Sequence, residues 1–208
     1  MGRRGNVIAK GGSLVMWRAR SQDDGSVEMH IPFSAYAEDC TVSGELALRT
    51  DRLSDFLSST EEYEIASPSF RALDDGRTVT AESCAIVRDD LCVILATGPR
   101  GRLERRLWTR QYPVRARVGP YLVLGYLHAP PTIDPLRTPD RRPIVALTEC
   151  IVEYAERGET VRLNADAVLV NSAKIDHLEP ATDEDLRLAK PESPMGENRS
   201  IWEPAAAE

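Results

Sequence analysis

The chain has 208 residues, 42% of them apolar and 28% charged, which suits a globular protein of one or two small domains. A formal net charge of −7 and a pI near 5.1 argue against a protein whose main task is gripping phosphate backbones, since that affinity rests on clustered Lys and Arg. The longest apolar runs, such as Leu14–Trp17 and Cys92–Ala96, are far shorter than the ~18 residues that suggest a membrane span.

Met1–Gly12 is rich in Gly and Arg, has no periodicity and reads as an arm. Gly5–Lys10 lacks the spacing of a phosphate loop. Ser13–Arg20 predicts a short strand, so residues 1–25 are an arm and a first strand. Gln22–Ser26 is a turn, because Asp24-Gly25 supplies the positive φ that tight hairpins need. Val27–Phe33 reads as a strand with Val27, Met29 and Ile31 on one face, and Pro32 marks an edge or an end. Cys40–Leu48 follows, with Val42, Gly44, Leu46 and Leu48 in phase and Gly44 at a bulge or bend. In Asp51–Ser58, Leu53, Phe56 and Leu57 have helical spacing and predict one helical turn over a barrel end. Tyr63–Leu73 is a long strand that Pro68 breaks or bends. Asp74–Arg77 is a hairpin turn. Thr78–Val87 and Leu91–Thr97, joined by Arg88-Asp89-Asp90, end a unit spanning 26–98.

Residues 99–113 form a basic linker with Arg100, Arg102, Arg105, Arg106 and Arg110 beside Trp108 and Tyr112. One reading makes Arg105 and Arg106 a nucleic-acid patch with aromatics to stack on bases. The favoured reading is a solvated linker whose Leu103, Leu107 and Trp108 dock the flanking units. A second unit spans 114–180: Val114–Val118, Tyr121–His128, Ile144–Tyr154, Thr160–Asn164, Ala167–Val170 and Ala173–Leu178 read as strands. Between them, Ala129–Arg142 is a stiff Pro-rich loop, with Pro130 and Pro131 as candidate partner contacts. Residues 181–208 form an acidic tail expected to be disordered, in which Asp183–Lys190 has room for one or two helical turns. Ile201-Trp202 stands out there as a candidate docking peptide.

The two units read as copies of one another. Gly44 pairs with Gly125, Ala66 with Ala146, Gly76 with Gly158, Val79 with Val161 and Ala85 with Ala167. The offset stays near ~81, longer than the units of solenoids, so a duplicated small domain is expected.

Each copy offers a bent Gly-containing strand, a long strand, a hairpin turn and two short strands joined by a tight turn. That order resembles the Sm/Lsm-like small β-barrel. In the place of that family's Arg-Gly-Asp/Asn turn stand Val87-Arg88-Asp89-Asp90 and Val170-Asn171-Ser172, without the Gly. The family's Asp corresponds to Asp51 or Asp55, and Ser58 stands where its Asn belongs. The resemblance implies an all-β chain of two tandem small Sm-like β-barrels of about five strands each, and RNA contacts at Arg88 and Asn171. Arg52–Leu57 and Gly125–Pro131 also resemble a bacterial family of single small domains of unknown function. That likeness is closer and implies no activity.

No catalytic constellation emerges. His30, His128 and His177 lie on or beside predicted strands without metal-like partners, and Cys40, Cys84, Cys92 and Cys150 form no Cys-x-x-Cys pair. Buried cysteines acting as small hydrophobes are expected. The N-terminus lacks an apolar core segment, so a cytoplasmic protein with reduced thiols is expected. No metal or cofactor is implied. The sequence favours a non-enzymatic interaction module that binds protein partners or itself through barrel edges and loops. The alternative is an Sm-like RNA-binding protein using Arg88, Asn171, Arg105 and Arg106.

Overall fold

A computed structural model describes residues 29–99, 108–136 and 142–189. Within β1 (Met29–Ala37), Ile31, Phe33 and Ala35 alternate inward, and β2 (Cys40–Leu48) buries Val42, Leu46 and Leu48 against them. A short helix, α1 (Leu53–Ser59), buries Leu53 and Leu57, four residues apart on one face. The chain continues through β3 (Glu62–Ala72), β4 (Thr78–Thr80), β5 (Ser83–Val87), a 3-10 turn at Arg88–Asp90 and β6 (Leu91–Leu95). These strands make the first half. The second half is β7 (Arg110–Val118), β8 (Tyr121–Ala129), β9 (Ile144–Glu156), β10 (Glu159–Asn171), a 3-10 turn at Ser172–Lys174 and β11 (Ile175–Pro180). Helix α2 (Asp183–Ala189) follows.

The halves repeat in register. β1 pairs β2 with Phe33 opposite Gly44, and β7 pairs β8 with Val114 opposite Gly125. At each of those glycines the next strand, β3 or β9, carries one extra residue as a bulge. Within the bulges, Ser67 and Glu149 hold matching positive φ values of 48° and 51°. A Cβ on Gly44 would stand 2.5 Å from Ile65 Cγ2 and 2.9 Å from the Ala66 carbonyl, and one on Gly125 2.7 Å from Cys150 Sγ. Only glycine admits that approach, so both strands bend at the same point. Pro68 does not break β3, which runs unbroken through it.

The chain is all-β as expected, and its strands are continuous from one half to the other. All the described strands join one open antiparallel sheet in the order β11-β7-β8-β9-β10-β6-β1-β2-β3-β4, with β5 also on β3. The fusion is β6 with β10, pairing Leu95, Ile94 and Val93 with Val168, Leu169 and Val170. Two cores interlock across it. Ile144 and Leu169 join the cluster of the first half, while Tyr36, Leu73, Cys92 and Val93 join that of the second. Tyr36, Tyr121 and Tyr154 meet there edge-on, with centroids 5.5–5.6 Å apart.

Two further expectations change. The stretch Thr160–Val170 is one strand, not two, because β9 and β10 form a hairpin 13 residues long on each arm. The segment after Pro180 is not all tail. α2 buries Leu186, and Asp183 and Asp185 bond Tyr126 and Arg115. Trp108 does not dock the halves, being 83% exposed. The N-terminal strand predicted at Ser13–Arg20, together with Arg105, Arg106, Leu103, Leu107, Ile201 and Trp202, lies outside the described residues.

Candidate functional site

Hydrogen bonds from the Ser67 N–H to the Glu82 carbonyl and from the Arg88 N–H to the Glu61 carbonyl fix the phase of β5 on β3. Antiparallel bonding alternates, so Cys84 and Ile86 turn their backbone groups to β3. The N–H and C=O groups of Ser83, Ala85 and Val87 therefore face outward. Among the described residues no strand pairs with that side.

The matching side of the second half is filled. Cys84, Ala85 and Ile86 correspond to Val168, Leu169 and Val170 of β10, whose outer edge takes β6. The Ala96 N–H donates to the Ala167 carbonyl at 3.1 Å and extends the seam. One edge type thus occurs twice, once occupied and, among the described residues, once open.

The opposite end of the sheet, β11, corresponds to β6 but carries different chemistry. Where β6 has Cys92, Val93 and Leu95, β11 has Asp176, His177 and Glu179. Pro180 stands where Ala96 donates, and it has no N–H to give. Charges and proline on an edge strand oppose further pairing. The β5 edge has neither, and Val79 and Val87 beside it are exposed.

Asn171 and Arg88 meet at the fused junction. Asn171 is buried; its Nδ2 donates to the carbonyls of Arg88 at 3.2 Å and Leu91 at 3.0 Å, and its Oδ1 accepts from the Ala173 N–H at 3.1 Å. Every polar atom of that side chain is engaged with backbone. Arg88 donates from Nη1 to the Leu57 carbonyl at 3.3 Å and pairs with Asp89 at 3.2 Å. It ties α1 to the 3-10 turn.

The second feature is a cavity of about 640 Å³ in the second half, within the size range of ligand pockets. Its walls include Ala116, Leu127, Val145, Leu147, Val170 and Ile175, with Pro130, Ile133 and Leu136 of the Pro-rich loop at one side. Pro131 is exposed beside them. His128 lines it too, its ring held between Thr109 Oγ1 at 3.3 Å and Thr148 Oγ1 at 2.7 Å.

The corresponding wall of the first half is Ala35, Leu46, Tyr63, Ile65, Ile86 and Leu91, all buried in one cluster with Leu53 and Leu57 of α1. Phe56 of α1 meets Tyr63 at 6.0 Å between centroids. Sequence reasoning missed this groove.

All four cysteines are free, and burial raises their thiols well above the ordinary value, Cys92 to about 11 and Cys150 to about 12. Such thiols are poor nucleophiles near neutral pH. Among the described residues no group of His, Cys, Asp or Glu is placed to hold a metal ion, and no helix is long and apolar enough to cross a membrane. No family model, curated protein or solved structure matches the chain.

Proposed function

We propose that the chain is a non-enzymatic interaction module that binds an extended segment of a partner protein by strand addition along the β4–β5 edge. One observation carries the reading: the same edge on the second half already takes an apolar strand, β6, within this chain. That junction describes the ligand. It is an antiparallel strand with adjacent apolar residues, like Leu95, Ile94 and Val93, whose main-chain groups meet those of Ser83, Ala85 and Val87. A second copy of the chain is the poorer donor. Its free strand, β11, would set Glu179 against Cys84 and His177 against Ile86, and Pro180 lacks the N–H that completes the seam. On this reading the two halves are Sm-like barrels fused side by side, with one end capped and the other receptive. Asn171 serves the fusion and not a nucleic acid, since its side chain is taken up by backbone, and Arg88 holds α1 to its turn through Leu57.

The test is Ala85→Pro. It deletes an outward N–H, leaves the bonds of Cys84 and Ile86 to β3 in place, and suits an edge strand. Wild type and variant are used as bait in host lysate without nuclease, reading protein and nucleic acid together. The expected result is a defined protein held in stoichiometric amount by the wild type and lost by Ala85→Pro, with the melting temperature unchanged. Stoichiometric RNA with no protein that depends on Ala85 would overturn the proposal.

A further inference from the structure

We infer that the apolar groove of the second half is the seat of the chain's own C-terminal segment, with Ile201-Trp202 playing the part that Leu53 and Leu57 play in the first half. The inference does not depend on strand addition at β5.

The repeat supplies the comparison. Six wall positions of the groove match six positions of the first half, all apolar in both. In the first half, α1 covers that wall, with Leu53 and Leu57 buried. Arg88, on the 3-10 turn, grips the Leu57 carbonyl. In the second half the matching turn residue is Ser172, which lines the groove. The loop that corresponds to α1 supplies Pro130, Pro135, a partly buried Leu136 and an Ile133 that remains 41% exposed. Among the described residues the second half keeps the wall and has no counterpart of the buried Leu53 and Leu57 pair.

Position and length favour the tail as the plug. α2 is fastened to the outer side of β7 and β8, by Asp185 to Arg115 at 3.8 Å and by Asp183 to Tyr126 at 2.9 Å. Ala116 and Leu127, the next residues on those strands, face the groove. Helix α2 therefore lies on the face of β7 and β8 opposite the groove, next to the edge strand β11. Ile201 lies 12 residues beyond Ala189, and 12 residues of random coil have a root-mean-square span of ~20 Å. Ile201-Trp202 joins an aliphatic residue to the only aromatic between Lys190 and Glu208. Burying an exposed indole in an apolar groove is favourable in proportion to the area removed from water.

The experiment uses the full chain with Trp17→Phe and Trp108→Phe, leaving Trp202 as the only tryptophan. Docking predicts a blue-shifted indole emission and acrylamide quenching several-fold weaker than in a free peptide of residues 196–208, both unchanged on dilution. Adding Ile133→Asp, at an exposed rim position, should return both readouts to those of the free peptide without lowering the melting temperature. Solvent-like emission in the full chain overturns the proposal and leaves the groove to a segment of another protein. A blue shift that survives Ile133→Asp, or that fades on dilution, overturns it equally, placing Trp202 elsewhere or in a second copy.

Discussion

Replacing Asn171 with Ala tests whether side chains hold the two halves together at their junction. Asn171 is 1% exposed and bonds three backbone groups, two of them across the junction. The variant loses those bonds and leaves the Leu91 carbonyl, at 3.0 Å from Nδ2, short of a partner in a buried setting. A net hydrogen bond is worth about 1 kcal/mol, and a stranded buried group costs ~1–3 kcal/mol. The Arg88 carbonyl keeps the Leu91 N–H, so only part of the loss is unrelieved. The expected cost is about 3 kcal/mol. For a chain of this size that lowers the melting temperature by roughly 6–12 °C. Urea unfolding at 25 °C, followed by tyrosine and tryptophan fluorescence, reads the change. Arg88→Ala, which loses one bond to the Leu57 carbonyl, should cost about 1 kcal/mol in the same assay. A loss below about 0.5 kcal/mol for Asn171→Ala, the size of an ordinary surface change, would refute the reasoning.

Two more outcomes follow from packing and protonation. Gly44→Ala drives a Cβ to 2.9 Å from the Ala66 carbonyl, whereas Gly125→Ala first meets the Cys150 sulfur at 2.7 Å and a carbonyl only at 3.1 Å. Both should destabilise by ~1–3 kcal/mol, Gly44→Ala more, because backbone yields less than a side chain; equal stability to wild type in either would contradict the shared bend. Burial raises the thiols of Cys40, Cys84 and Cys150 to about 12 and Cys92 to about 11, from an ordinary 9.0. The folded chain thus keeps protons that the unfolded chain has released, so stability is full below pH 9 and falls as pH rises through 11. Buried Tyr36, Tyr63 and Tyr121 are raised in the same direction. Urea midpoints measured from pH 7.5 upward should stay level and then drop above about 9, and a midpoint that held through 11 would count against buried, neutral thiols.

Much of the fold was legible because it is local. Cys40–Leu48 has the predicted bounds, Gly44 marks the predicted bend, and Leu53 and Leu57 form the predicted helical turn. The fusion was not legible. It pairs Ile94 with Leu169, and no local period reports a contact that distant in sequence. The repeat is legible with a slip. The structure matches Ala66 to Thr148 and Ala85 to Leu169, two residues beyond the alanines that the sequence pairs with them. A shift of two leaves each side chain on the same face of its strand, so the apolar pattern could not expose it. One extra residue between β8 and β9 and the longer arms of the β9–β10 hairpin absorb the difference. Arg88 and Asn171 do sit at the tight turns that the sequence marks. Their partners were not foreseeable, since Asn171 bonds the turn of the other half. The break that the sequence puts at Ala165-Asp166 does not interrupt β10, because β9 lies beside it and pairs it on both sides of that point.

Everything proposed for the sheet rests on one edge type occurring twice, filled by β6 on β10 and open on β5. Residue-resolved amide hydrogen exchange of the free chain reads both edges at once. Within β5 alternation is predicted: Cys84 and Ile86 protected by β3, Ala85 and Val87 exchanging faster by on the order of a thousandfold, a difference of ~4 kcal/mol in opening free energy. In β10, Leu169, the counterpart of Ala85, should be as protected as its neighbours because β6 covers it. Equal protection of Ala85 and Ile86 in the free chain would mean that the β5 edge is already occupied, and strand addition there would be ruled out.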